Sequence, residues 1–304
     1  MAKELERVLV PIDFKGSSVK ALEHASNLCI EKNGTLELLH VIETSGVLNE
    51  FFSSGDYLVK VTDKAKEKML ELTQDIKKKL PALRIETTIE RGKAYQKILE
   101  VTKRTRPDLL VMGENHQGNN EKKHLGSSVY HATLHSTSPV LTLKGDNPKP
   151  DYDKIVVPLD LTKDIKWKIS SAIYYGKTYQ GEIHLVSALV GGVKMENSRI
   201  YKKLKEAQQT LLKNGVKSRV KLFDRSEVPP YKRVLQYMDK EKPDMVLIMT
   251  HQEGYTYNNY IGAFAHHIIN ESKVPVLSLT SSVTKRQYNQ VVASMIDPAG
   301  IFTR

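Results

Sequence analysis

Two glycines thirteen residues apart frame the part of this chain best equipped for chemistry. Gly113 ends the apolar run DLLVMG, and Gly126-Ser127-Ser128 opens what reads as a helix. Glycines let backbone amides approach a phosphate, a helix start supplies unpaired amides with partial positive charge, and hydroxyls donate further bonds. Lys122 and Lys123 add charge in the loop between them. These are the parts of an anion cradle. The same residues also suit a plain helix start, with Ser127 as cap and Gly126 as turn. Asp13, just after the apolar run VLVPI, is the one candidate acid, and no base and nucleophile pair accompanies it. The sequence contains no GxSxG elbow, CxxC pair or GxxxxGK(S/T) loop, so it reads as a binding protein and not as an enzyme. His131 and His135 stand four apart on one helical face, a spacing that grips zinc, but no cysteine or carboxylate joins them as in HExxH. A structural role is expected for them, and no metal site is assigned.

The elements that must position these residues follow from apolar periodicity. VLVPI (8–12) is a short, branched, continuous apolar run, which suits a strand covered on both faces of a parallel sheet. Val19, Leu22, Ala25, Leu28 and Cys29 then recur at helical spacing until Asn33-Gly34 stops the helix. TLELLHVIE reads as a second strand, 54–80 as a long charged helix, RIETTIERG as a third strand and YQKILEVTKRTR as a helix ended by Pro107. DLLVMG and PVLTLKG are the fourth and fifth strands, separated by a polar loop and the helix from Gly126 to Ser136. Strands alternating with helices of this length predict an α/β fold of βαβ units on a doubly wound parallel sheet. Ligands of such sheets sit beyond the carboxyl ends of the strands where the strand order reverses. The turn after Pro11, the strand end at Val41 and the loop after Gly113 share that edge.

The whole pattern occurs twice. Residues 107–143 align without a gap on 243–279, matching the Pro-Asp pair, Gly118/Gly254, Gly126/Gly262, His131/His267, Ser136/Ser272 and the final Pro-Val-Leu. ERVLVPIDF (6–14) likewise lies over DKIVVPLDL (153–161). One unit is therefore written twice. The expected boundaries are a first domain at 1–145, a second at 152–281, a linker KGDNPKPDYDK between them, and a tail at 282–304 that belongs to neither repeat. Val291, Val292, Met295, Ile296, Ile301 and Phe302 suggest that the tail packs on a domain or on a second chain.

Composition fits two domains of ordinary size. The chain has 304 residues, room for two cores that need neither metal nor disulfide. Its single cysteine, Cys29, excludes an intrachain disulfide and reads as a buried packing residue. With no signal-like segment and no apolar run near 18 residues, the cytoplasm is the expected compartment and no membrane partner is expected. The formal charge of +11 raises the question of nucleic acid. The lysines, however, fall in helices mixed with glutamate, as in 63–80, without interleaved aromatics, so a solvated helix surface is the expected reading.

A strand ending Pro-x-Asp (Pro11, Asp13), a strand ending in the His40-Val41 pair, and a late loop close to G-x2-G-x9-G-(S/T) before a helix and a Pro-Val-Leu strand together resemble the universal stress protein family in its tandem two-domain form. The resemblance covers nearly the whole chain except the tail. It implies two tandem five-stranded parallel-sheet domains of order 3-2-1-4-5, adenine nucleotide alpha-hydrolase-like, paired across their last strands as a pseudo-dimer. It also implies, for one branch of the family, ATP or another adenine nucleotide, with Mg only as the nucleotide's companion. The implied nucleotide set is Pro11, Asp13, Val41, Met112, Gly113, His116, Gly126, Ser127 and Ser128. In it Asp13 and Val41 take the adenosine end, Val41 through its backbone. Gly113 approaches the ribose and phosphates, and Gly126, Ser127 and Ser128 cradle the phosphates. His116 departs from the pattern by standing at the middle glycine, where it either crowds the phosphates or, protonated, pairs with them; Gly118 partly restores the flexible path.

The second copy departs further. Met249 stands at Gly113, Gln252 at His116, and Ala263-Phe264 at Ser127-Ser128, leaving only Gly262 of the loop motif. Asp160 still matches Asp13, but Ser17-Ser18 become Asp164-Ile165. The second domain is therefore expected to be a structural partner without triphosphate. Tyr255, Tyr257 and Tyr260 line an alternative pocket or cover the sheet edge. The expected function is a stress-response regulator whose nucleotide state tunes its interaction with unknown protein partners, with association as a homodimer left open. The alternative is a nucleotide-independent interaction scaffold.

Overall fold

A computed structural model describes residues 5–44, 55–114, 126–143, 152–161, 164–188, 199–224, 226–250 and 261–296. The chain divides into two compact units, one ending at Pro150 and the other starting at Asp151. The first unit runs β1 (Arg7–Pro11), α1 (Gly16–Glu31), β2 (Thr35–Ile42), α2 (Gly55–Lys79), β3 (Arg84–Arg91), α3 (Ala94–Thr105), β4 (Leu109–Gly113), α4 (Ser127–His135) and β5 (Val140–Leu143). Its strands lie in the order β3-β2-β1-β4-β5 and every adjacent pair is parallel. The second unit runs β6 (Lys154–Pro158), α5 (Lys166–Tyr179), β7 (Glu182–Ser187), α6 (Arg199–Lys213), β8 (Ser218–Leu222), α7 (Pro230–Glu241), β9 (Met245–Met249), α8 (Ala263–Glu271), β10 (Val276–Leu279) and α9 (Ser281–Ile296). Its parallel strands follow the equivalent order, β8-β7-β6-β9-β10. In each unit the order reverses at the first strand, which places the switch point between the first and fourth strands.

Continuous apolar runs form the central strands because both sheet faces are covered. Val8, Leu9, Val10, Leu110, Val111 and their counterparts Ile155, Val156, Val157, Val246 and Leu247 are all fully buried. One core layer of the first unit joins Leu9, Leu39, Leu110 and Met112 to Ile98 and Val101 of α3 and Val129 and Ala132 of α4, with Val41 packed against it. The edge strand β3 mixes exposed and half-buried residues and has none fully buried, in contrast to the central strands. Cys29 is buried in α1, and that burial pushes its thiol up to about 12, so it acts as an apolar filler. On α2, Lys66 pairs with Asp63 and Lys78 with Asp75, each one turn apart on a solvated surface.

The positions shared by the two copies carry the scaffold. Asp108 Oδ2 accepts the amides of Glu6 and Arg7 (2.9 and 3.1 Å), and Asp244 Oδ2 accepts that of Lys154 (2.8 Å), tying the start of the fourth strand to the first. Ser136 and Ser272 each make a tight turn, donating to the carbonyl of Ser138 (2.6 Å) and Val274 (2.8 Å) while accepting the amide two residues on. His131 stacks on Tyr95 with centroids 4.1 Å apart, and His267 stacks on Tyr231 at 3.9 Å. The repeated histidine is thus a bridge between two helices. Among the described residues no group of histidine, cysteine, aspartate or glutamate could hold a metal ion.

The tail begins as helix α9 and packs within the second unit, along α5. Gln287 lies buried between them, accepting from Ser171 Oγ (2.8 Å) and donating to the Tyr175 hydroxyl (2.8 Å). Trp167 meets Tyr288 edge-on at 4.7 Å. Among the described residues no helix is long and apolar enough to cross a membrane.

Candidate functional site

At the switch point of the first unit, β1 stops at Pro11 while β2 continues to Ile42. Leu39 accepts the Ile12 amide (2.8 Å) and so faces β1, whereas Ile42 accepts the Gly92 amide (3.1 Å) and so faces the β3 side. Backbone groups alternate sides along a strand. The N–H and C=O of Val41 therefore point to the β1 side, beyond the end of β1. The Ile12 carbonyl that would otherwise meet Val41 is taken by His40 Nδ1 (2.8 Å), which must donate to it. The half-buried Val41 side chain packs against the core, and its peptide groups are what it offers toward the end of β1. Met112, expected at the site, is likewise a core residue, 5% exposed.

Asp13 organises the turn into α1. Its Oδ1 accepts from Ser18 Oγ (2.6 Å) and from the Lys15 amide (3.0 Å), and the Asp13 amide donates to Ser18 Oγ (3.3 Å). Phe14 adopts φ 62° to make the bend and packs on His40 with ring centroids 4.7 Å apart. Asp13 thus holds the turn that leads into α1, through the Lys15 amide and the Ser18 hydroxyl, without capping a helical amide. Its Oδ2, 3.9 Å from Lys15 Nζ, sits at the solvent rim of the same edge.

The two glycines have different roles. A Cβ on Gly113 would lie 1.9 Å from the Ser17 carbonyl oxygen and 2.4 Å from its carbon. Gly113 is therefore required by the close approach of β4 to the start of α1, a packing demand that stands beside its expected approach to the ribose and phosphates. A Cβ on Gly126 would meet nothing within 4 Å. Gly126 is the N-cap of α4 (φ −59°, ψ 143°) without a side-chain cap, so the capping role considered for Ser127 is not observed; Ser127 is the first helical residue. The first ladder bond runs from the Tyr130 amide to the Gly126 carbonyl (2.9 Å). The amides of residues 127–129 precede the ladder and are the orphan donors of this helix. Ser127 is exposed and Ser128 half-buried beside them. His116, Gly118, Lys122 and Lys123 lie outside the described residues.

The second unit keeps the frame and closes the edge. Leu159 donates to Val186 (2.8 Å) as Ile12 does to Leu39, and Ser187 Oγ donates to the Leu159 carbonyl (2.9 Å) where His40 meets Ile12. Its helix α5 starts at Lys166, three residues later than α1 in the aligned register, and Met249 is buried where Gly113 stands. The aspartate at the helix entrance is now Asp164, whose Oδ1 accepts the Lys166 amide (2.9 Å). That backbone bond, against the opposing effect of desolvation and with help from the Lys166 ammonium, holds the Asp164 carboxyl below its ordinary value. Lys168 Nζ donates to the Pro158 carbonyl (3.1 Å) at the end of β6. At α8, the Gly262 amide donates to the Thr250 carbonyl (3.3 Å), drawing the helix start onto the strand end, and Ala263 and Phe264 replace the two serines. Gln252, Tyr255, Tyr257 and Tyr260 lie outside the described residues. Sequence reasoning found the glycine-serine edge but not the direction of the Val41 peptide groups, which only the staggered ends of β1 and β2 reveal.

The model of the universal stress protein family matches residues 4–144. Among curated proteins, the universal stress protein YxiE of Bacillus subtilis is 26% identical over 145 residues, covering 45% of this chain and 98% of that protein. The universal stress protein MJ0577 of Methanocaldococcus jannaschii is 26% identical over 165 residues, 48% of this chain and 99% of that protein. The crystal structure of a universal stress protein from Archaeoglobus fulgidus shares the fold at TM-score 0.74 and 20% identity, covering 91% of this chain and 99% of that one. Each single-unit relative thus matches about half of this chain.

Proposed function

We propose that this chain, a member of the universal stress protein family through residues 4–144, binds an adenine nucleotide in its first unit and uses the state of that cradle to bias its association with other proteins. The observation that carries the reading is the open start of α4. No described atom comes within 4 Å of a Cβ on Gly126, and the orphan amides of residues 127–129 stand with the Ser127 and Ser128 hydroxyls at the edge where the Val41 peptide groups emerge. The residues fit the group. Val41 would offer its N–H and C=O to the adenine edge, Asp13 Oδ2 would face the ribose, and the α4 start would take the phosphates. ATP is the nucleotide of choice, with Mg only as its companion. Bound nucleotide would supply the negative charge that holds the loop before α4 in one arrangement. The population shift equals the difference in its affinity for the two arrangements.

The reading is one of binding without turnover, in a cytoplasmic stress-response regulator. Asp13 presents a carboxylate at the rim, and its Oδ1 is engaged by the Ser18 hydroxyl and the Lys15 amide. The second unit, with Phe264 and Met249 at its edge and the Gly262 amide engaged, serves as the structural partner. The test is calorimetric titration of ATP into the full chain, its Ser128→Phe variant, which copies Phe264, and its His116→Gly variant. Saturable binding by wild type that Ser128→Phe reduces at least tenfold supports the proposal. Absence of saturable heat in both wild type and His116→Gly, with a nucleotide-binding control behaving normally, overturns it and leaves a nucleotide-independent scaffold.

A further inference from the structure

The two copies also differ at the opposite side of the sheet, between the edge strand and the helix that follows it. Ladder pairing sets the equivalence: His40 pairs with Ile89 and Ser187 with Leu222, so Phe223 occupies the position of Glu90. Helices α3 and α7 both span 12 residues and end in left-handed Arg106 and Lys242, which equates Lys97 with Arg233, Glu100 with Gln236 and Arg104 with Lys240. In the first unit this surface is neutralised: Arg104 pairs with Glu90 at 2.8 Å and Lys97 with Glu100 at 2.6 Å. In the second unit Phe223 and Gln236 replace those two carboxylates and both cations remain, while acids stand instead at Asp224 and Glu241, the positions of Arg91 and Thr105. Lys221 adds a third where Thr88 stands. None of Lys221, Arg233 and Lys240 forms an ion pair with a described carboxylate.

These cations line a cleft of about 360 Å³. Phe223 forms its apolar wall, with Arg233 Cζ 4.7 Å and Lys221 Nζ 5.6 Å from the ring centroid. Tyr237 packs edge-on against Phe223 at 6.0 Å, and its hydroxyl is fixed by the buried His184 Nδ1 (2.8 Å), whose Nε2 meets Glu182 (3.1 Å). Arg233 donates to the Asp224 carbonyl, which orients the guanidinium without cancelling its charge. The carboxylates of Asp224 and Glu241 also line the cleft, so three cations outnumber two acids there. A guanidinium and two ammonium groups beside a rigid aromatic wall suit a compact dianion on a small carbon skeleton.

We propose that this cleft between β8 and α7 is a second anion site, taking a small phosphate monoester independently of the nucleotide cradle. The phosphate would span Arg233 and Lys240, with Lys221 and the Phe223 wall against the ester carbon. The test is calorimetric titration of glycerol 3-phosphate and of inorganic phosphate into the full chain carrying Ser128→Phe, so that the first unit's cradle does not contribute. Phe223→Glu in that background reinstates the carboxylate that Glu90 supplies to Arg104, and Arg233→Gln with Lys240→Gln removes the charge. Saturable glycerol 3-phosphate binding that weakens at least tenfold in both variants, with unchanged thermal unfolding, supports the site. Binding that persists in either variant, absence of saturable binding in the parent, or tighter binding of malate than of glycerol 3-phosphate overturns it.

Discussion

The separation of the two glycines is open to direct test, because the fold demands one and not the other. Gly113→Ala places a methyl 1.9 Å from the Ser17 carbonyl oxygen. Ordinary contact needs roughly 3.4 Å, so α1 and β4 must part by about 1.5 Å at a point where both sides are backbone. Overpacking of this kind costs about 1 to 3 kcal/mol, and the absence of a yielding side chain puts this case near 3. For a chain of this size that lowers the melting temperature of the first unit by roughly 6 to 12 °C. Gly126→Ala meets no atom within 4 Å and already has φ −59°. Its cost is limited to the N-cap preference of glycine over alanine, about 1 kcal/mol or less. Its methyl nevertheless enters the space over the α4 amides and should weaken ATP binding about tenfold. Differential scanning calorimetry paired with nucleotide titration reads both quantities. A Gly113→Ala protein melting within about 2 °C of wild type, or a Gly126→Ala protein losing as much stability as Gly113→Ala, would refute the assignment.

Three further outcomes follow from the second unit and the repeat. Gln287→Ala should cost about 3 kcal/mol, since it strands the buried Tyr175 hydroxyl and Ser171 Oγ together; unaltered urea midpoints and unaltered protease resistance of α9 would contradict its role as the clasp. Asp108→Ala and Asp244→Ala should each destabilise their own unit by about 2 kcal/mol through the amides they leave unpaired, and a loss confined to one copy would show that the shared residues do not do the same work. Burial raises the Glu182 carboxyl, but bonds from His184 and Arg219 outweigh it and hold the group below its ordinary value. Its contribution is therefore complete above the ordinary carboxyl range, near pH ~4.3, and is lost as pH falls through the folded value. The stability gap between wild type and Glu182→Gln, measured by urea unfolding, should narrow as pH drops below about 4; a gap that widens on acidification would reverse the sign.

The scaffold was legible in the sequence because it is written in periodicity and repetition. Continuous apolar runs gave the buried parallel strands, and the gapless alignment of 107–143 on 243–279 gave the second unit. The site was legible only where residue type and geometry coincide. Gly126 beside two serines does mark an open helix start, but Gly113 looked the same in sequence while answering to Ser17, far from it along the chain. Glycine signals missing volume without saying which neighbour needs the room. Val41 reads as an edge residue offering its backbone, but the direction of its peptide groups depends on β1 stopping two residues earlier, which no sequence pattern reports. The tail was ambiguous because Gln287 is polar in sequence and becomes a core residue only when Ser171 and Tyr175 receive it. The loop residues around His116 lie outside the described residues.

The duplication makes each unit an internal control for the other. What the copies share, Asp108 with Asp244, Ser136 with Ser272, and the Tyr95-His131 and Tyr231-His267 stacks, holds strands and helices in place. With those contacts fixed, residues at the strand ends and at the edge strand can change without unfolding the unit, and they differ between the copies. The first unit leaves the α4 start open and neutralises the β3 side with Glu90-Arg104 and Lys97-Glu100. The second draws the α8 start onto Thr250 and puts Phe223 and Gln236 in place of the paired carboxylates on the β8 side, with Asp224 and Glu241 as the acids there. Random decay of a redundant copy would erode charge pairs from either partner. Here both paired acids are replaced and both bases kept, so Arg233 and Lys240 form no ion pair with a described carboxylate, although Asp224 and Glu241 line the same cleft beside the aromatic ring. Retaining unpaired cations around Phe223 raises local repulsion, which the proposed phosphate monoester would offset.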